Sequence, residues 1–204
     1  MNGAAVQRGF AGSRTALMTV ALALLAHNAF GQQTSPQLPT VEFTVEVLGN
    51  RLSEFTAHMD AYAELRRSLQ EGLPALAVTD RPSEIQRAER ALAQRIRRAR
   101  AGAGRGDIFT EDIRRGFRQL LRPVTNAGTC ALIRDDNPGE FFYAVNAEYP
   151  KGKPVSTVPA AMLAVLPRLP EDVWYRFLDR DLILHDSRAN IILDRIDDAI
   201  RCRD

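Results

Sequence analysis

Apolar positions recur along this chain with three spacings, and each spacing marks off a stretch with its own expected structure. From Ala16 to Ala26 (ALMTVALALLA) they run almost without interruption. From Leu52 to Leu121 they return at three- and four-residue steps, the period of an amphipathic helix. Beyond the turn at Asn137-Pro138-Gly139 they fall into short aromatic and β-branched runs, the pattern of strands.

The helical stretch divides into three. Leu52, Phe55, Met59, Tyr62, Leu65 and Leu69 form one stripe, closed by Gly72 and Pro74. Pro82 follows Asp80 at a helix start, where Ser83 and Gln86 have capping-box spacing. Ile85, Ala88, Leu92, Ile96 and Ala99 form the second stripe, which ends before Gly102 and Gly104. Thr110, with Glu111 and Asp112 in the first turn, opens a third helix whose buried face is Ile113, Phe117, Leu120 and Leu121. Pro123 ends or kinks it.

Outside these helices, Val41 to Leu48 (VEFTVEVL) alternates as a short strand or extended coil would. Glu140 to Tyr149 reads as a strand with Phe141, Tyr143, Val145 and Ala147 on one face. Pro159 to Leu166 reads as a short helix. Val173 to Leu178 and Asp181 to Asp186 flank Asp179-Arg180 as a hairpin, with Val173, Tyr175 and Phe177 on one face and Trp174 on the other. Asn190 to Ile196 follows as a third strand, and Asp197 to Arg201 as a terminal helical turn. The expected fold is α+β: an N-terminal helical layer of about three helices packed on a small C-terminal antiparallel sheet.

The uninterrupted run at 16–26 reads differently. Arg8 and Arg14 precede it, and Ala29-Phe30-Gly31 places small residues at the −3 and −1 positions of a cleavage site, so residues 1–31 read as an export signal. Eleven helical residues rise about 16 Å, roughly half a bilayer's hydrocarbon core, which is short for an anchor. The expected organisation is a signal peptide (1–31), a tether with a possible short strand (32–49), and one α+β domain (50–204). Within that domain 50–136 is helical and 137–204 strand-rich. The tether begins with the proline-bearing segment Gln32 to Thr40. No transmembrane anchor is expected after cleavage, and the mature protein is expected in the periplasm or secreted.

The formal charge of +2 belongs to Arg8 and Arg14, so the mature chain is close to neutral. Charge is segregated nonetheless: residues 32–80 carry −4, 81–122 carry +7 and 123–204 carry −3. Only Lys151 and Lys153 among the 27 basic residues are lysines. Cys130 and Cys202 are the only cysteines, and in an oxidising compartment they read as one disulfide, the alternative being two free thiols.

Candidate chemistry is sparse. Arg87, Arg90, Arg95, Arg97, Arg98 and Arg100 form a dense set that suits an anionic envelope surface, or simply a solvated helix face. No aromatic residue lies between Arg81 and Arg105 for base stacking, which disfavours nucleic acid. Asp179, Asp181, Asp186, Asp194, Asp197 and Asp198 crowd the last strands, but without the spacing of a dedicated Ca²⁺ loop. His58 and His185 match no zinc spacing, and Gly102 to Gly106 follows a helix where a phosphate loop would follow a strand. The residues point to no catalytic, cofactor or metal site.

The run Gly106-Asp107-Ile108-Phe109-Thr110, the Asp135-Asp136-Asn137-Pro138-Gly139 turn and the tail from Val145 to Asp197 resemble a family of uncharacterised exported bacterial proteins. The segment Leu169 to Ile196 also resembles the end of the periplasmic nickel/cobalt-homeostasis family, although this chain has no histidine-rich tract. The first resemblance implies export and no activity. The expected function is that of a non-enzymatic periplasmic or secreted accessory or binding protein, whose partner is an envelope protein or an anionic envelope surface. The alternatives are a hydrolase using paired carboxylates and a metal-responsive envelope protein. Export makes a direct prediction: N-terminal sequencing of protein from the periplasm or medium returns Gln32, within a few residues, as the first residue.

Overall fold

The computed structural model describes residues 41–73 and 81–202. The export signal and the segment Gln32 to Thr40 lie outside the described residues. The elements in order are α1 (Val41–Gln70), α2 (Pro82–Ala99), α3 (Glu111–Leu121), a 3₁₀ turn (Arg122–Val124), α4 (Ala127–Asp135), α5 (Ala160–Leu163), β1 (Val173–Leu178), β2 (Asp181–Asp186) and β3 (Ile191–Ile196). The strands form one antiparallel sheet in the order β1-β2-β3. The chain is α+β, with its helices in the N-terminal part and its sheet at the C-terminal end.

The helix that carries the Leu52 stripe runs back to Val41, so Val41 to Leu48 is the first part of α1 and not a strand. An alternating segment needs a partner strand, and none lies beside it among the described residues. Leu48 instead sits one helical turn before Leu52, close to Gly116 of α3, where a Cβ added to the glycine would lie 3.5 Å from Leu48 Cδ1. Helix α2 begins at Pro82 as expected, but its N-cap is Arg81 and no side chain caps it, so the Ser83–Gln86 capping box does not form. Its buried residues are Leu92, Ala93 and Ile96, while Ile85 is exposed. Thr110 caps α3 by accepting from the Ile113 amide, and Ile113, Phe117 and Leu121 are buried. Helix α4 was not foreseen; it opens on a capping box between Asn126 and Thr129.

Phe55, Phe109 and Phe117 meet at centroid separations of 4.8 to 5.5 Å and form the centre of the core. Tyr175 joins them from the sheet, 6.0 Å from Phe117. The hairpin has the expected alternation: Val173, Tyr175 and Phe177 are buried, and Trp174 is half exposed. A bulge between β2 and β3 leaves Ile192 opposite His185 and Asp194 opposite Leu184. The extra residue turns Asp194 towards the helices.

The other sheet face is covered by chain that forms no strand. Glu140 to Tyr149 is extended coil with a single bridge from Glu148 to Ile191. Phe141 and Tyr143 do pack together, over Leu178, Ile183 and Ile192. The alternation then breaks at Asn146, whose φ of 65° makes a turn closed by the Ala147 amide on the Ala144 carbonyl. The last residues are likewise not a helical turn, because the Ala199 amide bonds across to the Arg180 carbonyl at 2.9 Å.

Cys130 and Cys202 form a disulfide, with Cα atoms 5.8 Å apart and a sequence separation of 72. It fastens the end of the chain to α4. Constraining a loop of that length in the unfolded state is worth about 4 kcal/mol in the chain-entropy description. Reduction is therefore expected to lower the thermal midpoint by several degrees or more, read by calorimetry with and without reductant.

Candidate functional site

The five arginines of α2 and its C-cap Arg100 do not share one surface. Arg95 turns back to the end of α1, where one nitrogen donates to the carbonyls of Leu69 and Glu71, both at 2.8 Å. Those are orphan acceptors at a helix C-terminus, and a cation there also answers the helix dipole. Arg97 donates to the Asn146 carbonyl at 2.9 Å. Arg100 is buried and donates to Asp107 at 2.9 Å and to the Leu193 carbonyl at 3.1 Å, with its guanidinium 5.6 Å from the centre of the Tyr62 ring. Arg87 and Arg90 are exposed and fold onto their own helix, and Arg98 is exposed. Half of the set fastens the fold, which leaves three side chains for an anionic surface.

The C-terminal aspartates are similarly dispersed. Asp194 is fully buried and accepts backbone N–H groups from Gly106, Ile108, Phe109 and Arg195. Asp186, also fully buried, accepts from the Tyr62 hydroxyl at 2.5 Å and from the amides of Arg188 and Ala189. Burial, reinforced by the Asp186 charge, raises the Tyr62 phenol above its ordinary range. Asp181 accepts from Tyr143, whose hydroxyl is pushed up to about 12, chiefly by desolvation. Asp197 and Asp198 pair with arginines 195 and 180. Among the described residues no three His, Cys, Asp or Glu side chains converge as metal ligands. His58 is spent on the Ile108 carbonyl at 3.0 Å.

Two cavities among the described residues bear on binding. One, about 690 Å³, lies between the end of α3, the start of α4 and the C-terminal turn, and Arg118, Arg122 and Arg201 line it. Arg118 is already committed to the carbonyls of Asp197 and Asp198, and the Thr129 amide of α4 has the Asn126 side chain. The smaller, about 410 Å³, opens on the outer face of the sheet, under α2 and the loop after Tyr149. Its lining includes Glu89, Tyr149, Lys151, Lys153, Arg176 and His185. Both lysines of the protein are there.

This second cavity has unspent polar groups. Arg176 and His185 are diagonal neighbours on one face of the hairpin, since Trp174 pairs with His185 and Arg176 with Ile183. Arg176 donates from one terminal nitrogen to the Ser156 carbonyl at 3.0 Å, while its Nε is buried with no hydrogen-bond partner among the described residues. His185 Nε2 lies 3.1 Å from Asn190 Oδ1, and its Nδ1 is likewise buried without a partner among them. Unpaired groups of this kind are rare in folded interiors and carry a desolvation penalty, and both belong to residues that line this cavity. Three cations face one carboxylate, Glu89, which pairs with Lys151 at 3.2 Å.

Sequence reasoning missed this site because its members lie on α2, a loop and two strands. The one available signal was the pair of lysines in a chain otherwise built with arginine. No family model, curated protein or solved structure matches the chain.

Burial lowers the His185 pKa from its ordinary 6.5, and the Arg176 charge adds to the effect. Below about pH 6.5 the unfolded chain takes up a proton that the folded chain refuses, so stability falls as pH drops through that window. Denaturant midpoints followed from about pH 7.5 to about pH 5.5 should fall for the native protein and fall less for His185→Phe.

Proposed function

We propose that this chain is a non-enzymatic, exported binding protein that holds a small anion in the cavity on the outer face of its sheet. The observation that carries the reading is Arg176, a partly buried guanidinium with an unpaired Nε–H edge beside Lys151 and Lys153. That edge is the geometry that carboxylate and phosphate groups use for two parallel hydrogen bonds. A binding role is further supported by how Ser187, the one serine or threonine in the cavity lining, is used. Ser187 donates to the Asp172 carbonyl and accepts from Trp174, so it is not offered to His185 as a nucleophile. The paired-carboxylate reading has little support, because Asp186 and Asp194 have no open lone-pair face towards a cavity and spend their oxygens on the fold.

An exported location accords with the sequence features, with the disulfide, and with the finding that no helix among the described residues is long and apolar enough to cross a membrane.

Sulfate tests the reading, as a compact anion that needs only donors. Calorimetric titration should detect its binding, weakening with added salt. Arg176→Gln should reduce the affinity about tenfold or more, and Arg176→Lys should recover only part of it, since an ammonium keeps the charge without the fork. Native protein that binds no anion, or an Arg176→Gln variant that binds as well as native, overturns the reading.

A further inference from the structure

We propose that the anion held in this cavity is hydroxylated, a sugar acid or sugar phosphate class of ligand, with its acidic group on Arg176 and a hydroxyl donating to His185 Nδ1. This rests on the anion-binding reading above and adds the chemistry of the ligand's other end.

The ligand's chemistry follows from which nitrogen of His185 carries the proton. Asn190 Nδ2 donates to the Tyr149 carbonyl at 3.0 Å, which orients the amide and turns its oxygen towards the ring. That oxygen accepts only, so His185 Nε2, 3.1 Å away, is the protonated nitrogen. Burial keeps the ring neutral. Nδ1 is therefore a lone pair, and it has no donor among the described residues. A bare carboxylate or sulfate cannot satisfy it, because such groups are themselves acceptors and would add repulsion at that atom. A ligand hydroxyl supplies the missing donor.

The rest of the cavity fits the same class. Glu89, held beside Lys151, is a second acceptor that a simple anion would avoid and a further hydroxyl would use. Tyr149 stands against the His185 ring, with centroids 5.0 Å apart, and is itself tied to the Pro154 carbonyl at 2.7 Å. Nδ1 is closed off in this structure, so ligand binding there requires the loop Pro150 to Val155 to shift outward. That segment is a surface loop with Gly152 at a φ of 83°. The tyrosine then offers an apolar wall to the C–H face of a sugar ring.

Two matched pairs test the proposal at about pH 8, where phosphate monoesters are dianions. Glucuronate is compared with cyclohexanecarboxylate, and glucose 1-phosphate with phenyl phosphate. In at least one pair the hydroxylated member should bind the native protein about tenfold or more tighter, and His185→Phe should abolish that preference. If that variant does not fold, the native protein still answers. The ¹⁵N resonance of Nδ1 should move as an unprotonated nitrogen accepting a hydrogen bond when the preferred ligand is added. Equal binding within both pairs, or an Nδ1 that stays unmoved or becomes protonated, overturns the hydroxyl assignment and leaves the anion reading intact. Binding by none of the four ligands nor by sulfate overturns both.

Discussion

A carboxylate carried into a protein interior must find donors for its charge, and at Asp194 the donors are the backbone of the loop between α2 and α3. The amides of Gly106, Ile108 and Phe109 and the carboxylate's own neighbour Arg195 surround it at 2.7 to 3.2 Å. The arrangement requires Gly106, because its φ of 97° suits a residue without a Cβ and a side chain there would press on Arg114. Gathering these amides onto β3 sets the position of Phe109, and Phe109 stacks on Phe55 and meets Phe117 edge-on. The aromatic core that joins helices to sheet therefore depends on one buried charge being fully satisfied. Asp186 repeats the device one strand away, through Tyr62 and, at 3.6 Å, Arg66 of α1.

Arginine does comparable work from the helical side. Arg66 reaches the Glu171 carbonyl ahead of β1, Arg95 closes the end of α1, and Arg97 and Arg100 hold the turn at Asn146 from two directions. Asn146 answers by donating to the Arg100 carbonyl at 2.7 Å. A planar group with five donors suits this role, since it can satisfy several carbonyls of irregular chain at once. The consequence for function is that a basic helix contributes little basic surface. The unpaired nitrogens of Arg176 and His185 are on the outer face of the sheet, in a cavity that the two lysines also line.

That far face is buried by loop, and this is why it holds a cavity. Phe141, Tyr143 and Tyr149 cover Leu178, Ile183 and Ile192 at one end. The polar pair Arg176 and His185 lies towards the other end, where Lys151 and Lys153 supply charge and Tyr149 stands against the His185 ring. A fourth strand would have paired more backbone and packed more closely. Coil joined to β3 by a few backbone bonds between Asn146 and Tyr149 leaves the space.

Local pattern determined a good deal. The stripe ending at Leu69, the proline at the start of α2, the Thr110 cap and the Asp179-Arg180 hairpin are each written within a few neighbouring residues, and each forms as expected. The pairing of Cys130 with Cys202 was readable because no other cysteine exists. Two alternating segments did not become strands: Val41 to Leu48 lies in a helix, with Leu48 one turn before Leu52, and Glu140 to Tyr149 stayed coil because Asn146 turns out of line. Tertiary structure alone decided which arginines are fasteners, which aspartates are buried, and that Arg176, His185 and the lysines meet. Helix periods and turn residues act over a few positions of chain, whereas a buried charge or an unpaired nitrogen is defined by what distant segments bring to it.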